Sequence, residues 1–185
     1  MEKLGREAAM GWVKGIAGAG ALLLAWAPNA MAADPDVPRR DPKGFYRYLT
    51  QEADSTTSTC IGNPITPLCA VETVLACFVR KNDDFCRRAT WPGFPDLEFS
   101  KSMKSPFDDM RYYVQFAKKL GAANAGKYHV GDVVPEPRDV VIGIKKAFMA
   151  PGGWGNIYPQ PNVYLLRRYK MEWRVVTWHT ASTDP

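Results

Sequence analysis

Four cysteines close together in the chain constrain its fold more than any other feature of the sequence. They are Cys60, Cys69, Cys77 and Cys86, and the sequence holds no others. Clustered cysteines either bind a metal or form disulfides, and structural zinc sites space their paired ligands by about two to four residues. No pair here has that spacing, and there is no Cys-x-x-Cys redox motif. We therefore predict disulfides, with buried free thiols as the alternative, and no metal site.

The N-terminus favours disulfides because it predicts that the chain is exported. Residues 1–32 have the order of a secretory signal peptide: a basic start, an apolar stretch over residues 16–26, and small residues at Ala30 and Ala32. The apolar stretch is shorter than the roughly 20 residues that a membrane span requires. We therefore predict cleavage after Ala32 and a periplasmic or secreted protein with no stable membrane span.

The charge of the chain is mild. The full sequence has 24 Lys and Arg, 19 Asp and Glu, and a net charge of +5. Without residues 1–32 it keeps 21 basic and 17 acidic groups, a net charge of +4. A mild charge on an exported chain gives no reason to expect nucleic acid as a partner. Apolar residues make up 46% of the sequence, which is typical of a packed globular domain.

A pair of helices is predicted across the cysteine region. Thr66 followed by Pro67 is a typical helix start, with the threonine side chain as N-cap and proline at the first helical position. Apolar residues then recur at helical spacing on one face from Leu68 to Val79. Asn82 ends this helix and caps a second, shorter one.

This helix pair decides which cysteines we expect to be bonded. On one continuous helix Cys77 and Cys86 would lie about 13 Å apart, which is beyond the reach of a disulfide. A turn at Asn82 brings them together. Of the three possible pairings we therefore expect Cys77 with Cys86, which leaves Cys60 to bond with Cys69.

The stretch before the helix pair differs in composition from the rest. Residues 33–58 are rich in proline and polar residues and show no periodicity, so they predict a flexible leader. Within the leader, Phe45, Tyr48 and Leu49 indicate a short helical turn that docks on the core. Residues 59–185 are predicted to form a single domain.

The second half of the chain is predicted to form strands. Alternating or Val-, Ile- and aromatic-rich runs cover residues 111–119, 127–134 and 139–149, and a hairpin is formed by residues 163–168 and 173–180. Helices followed by four or five mostly antiparallel strands are typical of the α+β class. We therefore predict an N-terminal helix pair packed on one such sheet.

Two stretches resemble the nuclear-transport-factor-2-like (cystatin-like) superfamily. Residues 71–83, Val-Glu-Thr-Val-Leu-Ala-Cys-Phe-Val-Arg-Lys-Asn-Asp, are similar to its opening helix and the polar turn that follows. Residues 165–176 are similar to its closing hairpin, in which Trp173 begins the last strand. Over about residues 66–181, the resemblance implies a curved sheet around the helices with a conical pocket between them. It implies no catalytic residue, because no catalytic motif of the superfamily is matched.

The sequence offers three catalytic candidates. His129 and Asp132 offer an imidazole and a carboxylate close in sequence, and His179 lies on the predicted last strand. A histidine oriented by an acid can act as a general base. Positions 129 and 132 of a strand face opposite sides, however, so the simpler interpretation is that these are surface residues. The sequence predicts no cofactor.

Three aromatic residues are candidates for a ligand or partner surface. Trp154 lies in the glycine-rich stretch of residues 151–156, where a mobile backbone could present a large flat ring. Tyr112 and Trp178 lie on predicted strands that would line the implied pocket. The simpler interpretation of Trp154 is a turn residue that packs into the core.

These features support three functional hypotheses. The first is an exported, disulfide-stabilised, non-enzymatic domain that binds a small apolar ligand or a cell-envelope partner. The second is an isomerase-like or dehydratase-like enzyme with a pocket His–Asp pair. The third is an interaction module whose basic residues, at 118–119, 145–146 and 167–170, align on a strand face and bind anionic envelope polymers.

Overall fold

The computed structural model of the chain describes residues 34–49, 60–94, 109–150, 152–155 and 160–180. The predicted signal peptide lies outside the described residues. Within the described ranges, no helix is long and apolar enough to cross a membrane.

Two helices form where the sequence predicts them. The first, α1, spans Pro67–Arg80, and the second, α2, spans Asp83–Ala89. The side-chain oxygen of Thr66 accepts a hydrogen bond from the backbone N–H of Cys69 at 3.2 Å. The side chain of Asn82 accepts from two of the first amides of α2, at 3.0 and 3.3 Å. Both predicted N-caps are therefore confirmed.

The disulfides join the cysteines as predicted. Cys60 is bonded to Cys69 with their Cα atoms 4.9 Å apart, and Cys77 is bonded to Cys86 with their Cα atoms 5.4 Å apart. The turn at Asn82 makes the second bond possible, because it folds α2 back on α1. One disulfide therefore links the segment before α1 to the start of that helix, and the other links α1 to α2.

The strands form one antiparallel sheet, which confirms the α+β class. Their bounds are Arg47–Tyr48 (β1), Met110–Lys119 (β2), Val140–Ala150 (β3), Gly153–Gly155 (β4), Asn162–Tyr169 (β5) and Glu172–Thr180 (β6). The order across the sheet is β1-β2-β3-β5-β6, and β4 pairs with the end of β3 beyond its pairing with β5. The helix pair precedes β2 to β6 but follows β1. Register shifts in β2–β3 and in β5–β6 mark β-bulges, which bend a sheet.

The main core lies between the helices and one face of the sheet, which we call the helix side. The helices contribute small and branched residues, and the strands contribute larger ones. The buried members include Ala70, Val71, Val74, Leu75, Tyr112, Val114, Ile142, Ile144, Tyr164, Leu166, Trp173 and Val175. Alternation along the strands sends the intervening side chains to the opposite face, which we call the outer side.

The segment between β2 and β3 covers part of the outer side with a second, smaller core. Its buried residues are Leu120, Ala125, Val130, Val141, Val163 and Leu165. The strand predicted over residues 127–134 is wrong. A 3-10 turn occupies Ala125–Lys127, and a single bridge joins Val130 to Val133. Gly131 has a φ of +59°, a left-handed conformation that interrupts a strand, so the chain reverses there.

The segment before the helix pair contacts β2 in several ways. The backbone N–H of Asp41 donates to the carbonyl of Val114 at 2.9 Å, and the Asp41 carboxylate accepts from the backbone N–H of Val114 at 2.7 Å. The ammonium of Lys119 pairs with the carboxylates of Asp34 and Asp36 at 3.0 and 3.1 Å. The sequence carried no local signal for these contacts, because their partners are far apart in the chain.

The helical turn predicted at Phe45, Tyr48 and Leu49 is wrong for Phe45, which is extended, and for Tyr48, which lies in β1 paired with β2, whereas Leu49 is helical. A 3-10 turn lies earlier, at Pro42–Gly44. Leu49 is buried in the main core, as the prediction of a docked segment required. Residues 50–59 lie outside the described residues, and the flexibility of the leader stays a prediction.

Candidate functional site

Four polar side chains lie together on the helix side, near the end where β3 finishes and β5 begins. Tyr112 and Lys146 are opposite each other in the β2–β3 register. Asn162 lies opposite Ile144, and Tyr164 follows Asn162 by two positions on β5. Because Ile144 belongs to the main core, strand alternation places all four on the helix side. We call Tyr112, Lys146, Asn162 and Tyr164 the polar cluster.

Two members of the polar cluster carry buried atoms without a hydrogen bond. Tyr112 is fully buried and Asn162 is 6% exposed. The hydroxyl oxygen of Tyr112 and the amide nitrogen of Asn162 have no partner among the described residues. A buried polar group left unpaired costs about 1–3 kcal/mol, so such groups are uncommon unless they serve a purpose.

Lys146 is the charged member of the polar cluster. Its ammonium lies 3.5 Å from the hydroxyl of Tyr164 and 5.8 Å from the ring centre of Phe148. Burial lowers the pKa of Lys146 from 10.5 to about 8, because the low-dielectric surroundings disfavour the charged form. Burial raises the pKa of Tyr164, so its hydroxyl keeps its proton. At neutral pH the cluster therefore presents an ammonium and two phenolic hydroxyls.

An aromatic wall stands beside the polar cluster. Trp178 lies opposite Tyr164 in the β5–β6 register, with their rings 6.1 Å apart. Its ring is stacked on Phe94 at 5.1 Å and meets the edge of Phe78, from α1, at 6.1 Å. The wall joins side chains from the helix pair, the segment after it and the last strand. Such an apolar surface next to a few polar groups is typical of small-molecule sites.

A buried acid lies between the first disulfide and β1. Glu72 of α1 is 3% exposed, and its carboxylate lies 3.8 Å from the guanidinium of Arg47, which also stands 5.7 Å from the ring of Tyr112. Glu72, Cys60 and Cys69 bring potential ligand atoms within 4.8 Å of one another. The two cysteines form a disulfide, however, and a metal binds the thiolate. The group is therefore a structural contact around the disulfide.

The predicted catalytic residues lie elsewhere. His129 and Asp132 are exposed in the segment between β2 and β3. His179 is exposed on β6 opposite Val163, which belongs to the outer-side core. None of these three residues therefore lies in the polar cluster. The enzyme hypothesis requires a His–Asp pair in a pocket, and these exposed residues do not form one there.

The three predicted surface aromatics separate. Trp154 lies on β4 opposite Met149, with its ring 4.7 Å from the guanidinium carbon of Arg111. The same guanidinium lies 4.7 Å from the ring of Tyr46, so Trp154 belongs to an aromatic–arginine stack apart from the polar cluster. Tyr112 is inside the domain rather than on its surface, and Trp178 forms the aromatic wall beside it.

Sequence reasoning missed Lys146, Asn162 and Tyr164 as site residues. It placed Lys146 in a basic stripe together with Lys145, but the two point to opposite sides of β3. The signal that could have identified Lys146 is the alternation of residues along β3. Positions 142, 144, 146 and 148, which share one face of the strand, are Ile, Ile, Lys and Phe, so a lysine lies on an otherwise apolar face.

The predicted basic stripe is also divided by ion pairs. Lys119 is paired with Asp34 and Asp36, and Arg167 is paired with Asp139. These contacts neutralise two of the cations that the stripe hypothesis counted, and the two sides of the sheet separate others. A continuous basic strand face is therefore not formed.

Comparison with known proteins supplies no relative from which a function could be carried over. The polar cluster and its aromatic wall must therefore be interpreted from their own geometry. No protein-family model, curated protein or solved structure matches this chain.

Proposed function

We propose that this chain is an exported, disulfide-stabilised, non-enzymatic domain that binds a small, largely apolar ligand on the helix side of its sheet. The polar cluster holds one end of that ligand, a carboxylate. The observation that carries the proposal is the pair of buried, unpartnered atoms in Tyr112 and Asn162 beside the ammonium of Lys146.

The donors of the cluster define the ligand's head group. The amide nitrogen of Asn162 only donates hydrogen bonds, the ammonium of Lys146 only donates, and the hydroxyl of Tyr112 can donate. Three neighbouring donors, one of them cationic, complement an acceptor that carries negative charge. A carboxylate meets this requirement, and its charge also favours the protonated form of a lysine whose pKa burial has lowered.

The aromatic wall defines the rest of the ligand. Phe78, Phe94 and Trp178 meet beside the cluster, and Phe148 lies within reach of the Lys146 ammonium. Such a surface favours an apolar body because burial of apolar area is the main source of binding energy. An aliphatic or aromatic carboxylate combines both properties.

Export and superfamily membership belong to the same proposal. Two disulfides support export, because such bonds persist outside the reducing cytoplasm. The helix pair on one face of a bent antiparallel sheet supports the nuclear-transport-factor-2-like resemblance, which implies a pocket on that face. The segment between β2 and β3 departs from that pattern, since it holds one 3-10 turn where the superfamily has a helix.

Calorimetric titration of the purified protein with octanoate tests the proposal, with octylamine as the ligand of equal chain length and opposite head charge. We expect octanoate to bind and octylamine to bind at least about tenfold more weakly. Lys146→Met should weaken octanoate binding about tenfold to a hundredfold, because a charge-assisted hydrogen bond is worth about 1.5–3 kcal/mol. Lys145→Met is the matched control, since that neighbour points to the outer side.

Two further readouts distinguish the cluster from general hydrophobic binding. Octanoate affinity should fall as the pH rises through about 8 in the wild type but not in Lys146→Met, because Lys146 then loses its charge. Tyr112→Phe should weaken binding without lowering the melting temperature, because the lost hydroxyl makes no hydrogen bond within the described protein. Equal binding of octanoate and octylamine, or equal effects of Lys145→Met and Lys146→Met, would contradict the proposal.

A further inference from the structure

A cavity lies at the end of the sheet opposite to the polar cluster. Its volume is about 450 Å³, within the range of small-molecule sites. It is bordered by the end of β2, the start of β3, the end of β5 and the start of β6. We call it the arginine cleft, and the residues that matter for its chemistry are Trp91, Glu136, Arg138, Asp139, Arg167 and Arg168.

One arginine of the cleft is held in place by acids. The guanidinium of Arg167 donates two hydrogen bonds to the carboxylate of Asp139, at 2.9 and 2.8 Å. A third contact joins it to Glu136 at 2.6 Å. Asp139 is 2% exposed, and these neighbours raise the pKa of Arg167. Arg167 is therefore neutralised within the protein and forms the fixed floor of the cleft.

Two other arginines border the cleft without such partners. Arg138 and Arg168 are exposed, and neither makes an ion pair among the described residues. Arg138 has a φ of +82°, a conformation that residues other than glycine adopt at a cost. A hydrogen bond from its N–H to the carbonyl of Leu120, at 2.8 Å, holds this conformation. The two guanidinium groups are available for an external anion.

An aromatic ring completes the lining. Trp91 is half-buried, and its ring meets the edge of Tyr169 with the ring centres 5.5 Å apart. The guanidinium of Arg167 lies 5.7 Å from the centre of the same indole. The backbone N–H of Trp91 donates to the carbonyl of Val175 at 2.9 Å, which ties the residue to β6. The ring is thus fixed on two sides at the wall of the cleft.

We propose that the arginine cleft binds an anionic saccharide, a sugar that carries one carboxylate or phosphate group. Arg138 and Arg168 take the anionic group, the Trp91 indole takes the apolar face of the sugar ring, and the exposed carboxylate of Glu136 accepts hydrogen bonds from hydroxyl groups. Acids in the lining disfavour a ligand with successive negative charges, so a single anionic group fits better than a polyanion. This site is separate from the polar cluster and does not depend on the carboxylate ligand proposed there.

Calorimetric titrations with glucuronate, glucose 6-phosphate, glucose and inorganic phosphate test this proposal. We expect at least one of the two anionic sugars to bind at least about tenfold more tightly than glucose and than inorganic phosphate. An anionic sugar contacts both the arginines and the indole, whereas glucose lacks the anionic group and inorganic phosphate lacks the sugar ring. The tighter of the two sugars identifies whether a carboxylate or a phosphate is preferred. If neither binds more tightly than inorganic phosphate, the proposal is overturned.

Variants assign the binding to the cleft. Arg138→Gly removes the guanidinium and suits the positive φ, so it should retain the fold and weaken the tighter sugar about tenfold. Arg168→Gln should act in the same direction, while Lys127→Gln, an exposed cation outside the lining, should have no effect. Trp91→Leu should weaken sugar binding but not the binding of inorganic phosphate. Equal affinities for the wild type, Arg138→Gly and Arg168→Gln would refute the assignment, provided that the melting temperatures show all three folded.

Discussion

Among exchanges between glycine and alanine on the described strands, Gly143→Ala should destabilise the domain most. Gly143 lies in the middle of β3, opposite Phe116 of β2 at the bulge of that strand pair. A Cβ atom at position 143 would lie 2.1 Å from Cε1 of Phe116, 2.5 Å from Cζ and 2.6 Å from Cδ1. The phenyl ring therefore rests directly on the glycine.

The size of the effect follows from this overlap. Carbon atoms in contact lie about 3.5–4.0 Å apart, so the new methyl group would overlap the ring by more than about 1 Å. The ring packs against the outer-side core and cannot turn away without loosening that core. Overpacking of this kind costs about 1–3 kcal/mol, partly offset by the smaller conformational entropy loss of alanine. For a domain of this size the melting temperature should fall by about 2–10 °C.

A double-mutant cycle measured by urea unfolding isolates the contact. In the Phe116→Ala background the alanine at position 143 meets no ring, so its cost should fall by at least about 1 kcal/mol relative to the wild-type background. Gly126→Ala is the matched control, because no atom lies within 4 Å of a Cβ built there. If Gly143→Ala is as stable as the wild type, or costs the same in both backgrounds, the reasoning about this contact is refuted.

Two further predictions concern the helix pair and Lys146. Cys77 and Cys86 are separated by nine positions, so removal of their disulfide in a double alanine variant should lower the free energy of unfolding by about 2–3 kcal/mol, measured by urea unfolding. Retention of the wild-type midpoint would contradict this. Lys146 has a pKa of about 8 in the folded state and 10.5 as its ordinary value, so between these pH values the unfolded chain binds more protons. The lysine should therefore make stability rise with pH across that window, and Lys146→Met should flatten this rise in urea midpoints measured at a series of pH values. An unchanged slope in the variant would show that the pKa of Lys146 is not lowered.

Local sequence signals determined the helix pair, its disulfides and the final hairpin. Thr66 and Asn82 cap helices through amides only two or three residues away, and the apolar spacing of α1 repeats within its own length. Cys77 and Cys86 are joined across the turn that Asn82 starts. The partners in these interactions are separated by only a few residues, so a short stretch of sequence contains both of them. For this reason the sequence alone was enough to predict them.

The tertiary structure decided what the sequence could not. Asp34 and Lys119 are 85 positions apart, and Asp139 and Arg167 are 28 apart, so no local pattern announces either ion pair. The local pattern of the segment between β2 and β3 is typical of a strand, but the chain reverses at Gly131, and Val130 and Val133 pack on the outer side.

The candidate sites show the same division. The aromatic residues and the lysines are visible in the sequence, and alternation along β3 indicates that Lys146 shares a strand face with apolar residues. Only the register between strands brought Lys146 opposite Tyr112 and near Tyr164. The side chain of a strand residue meets neighbours that come from other strands, and the sequence by itself does not state which strands those are. For this reason composition and local pattern determined the class of the fold, while the pairing of distant strands determined where its polar groups are buried together.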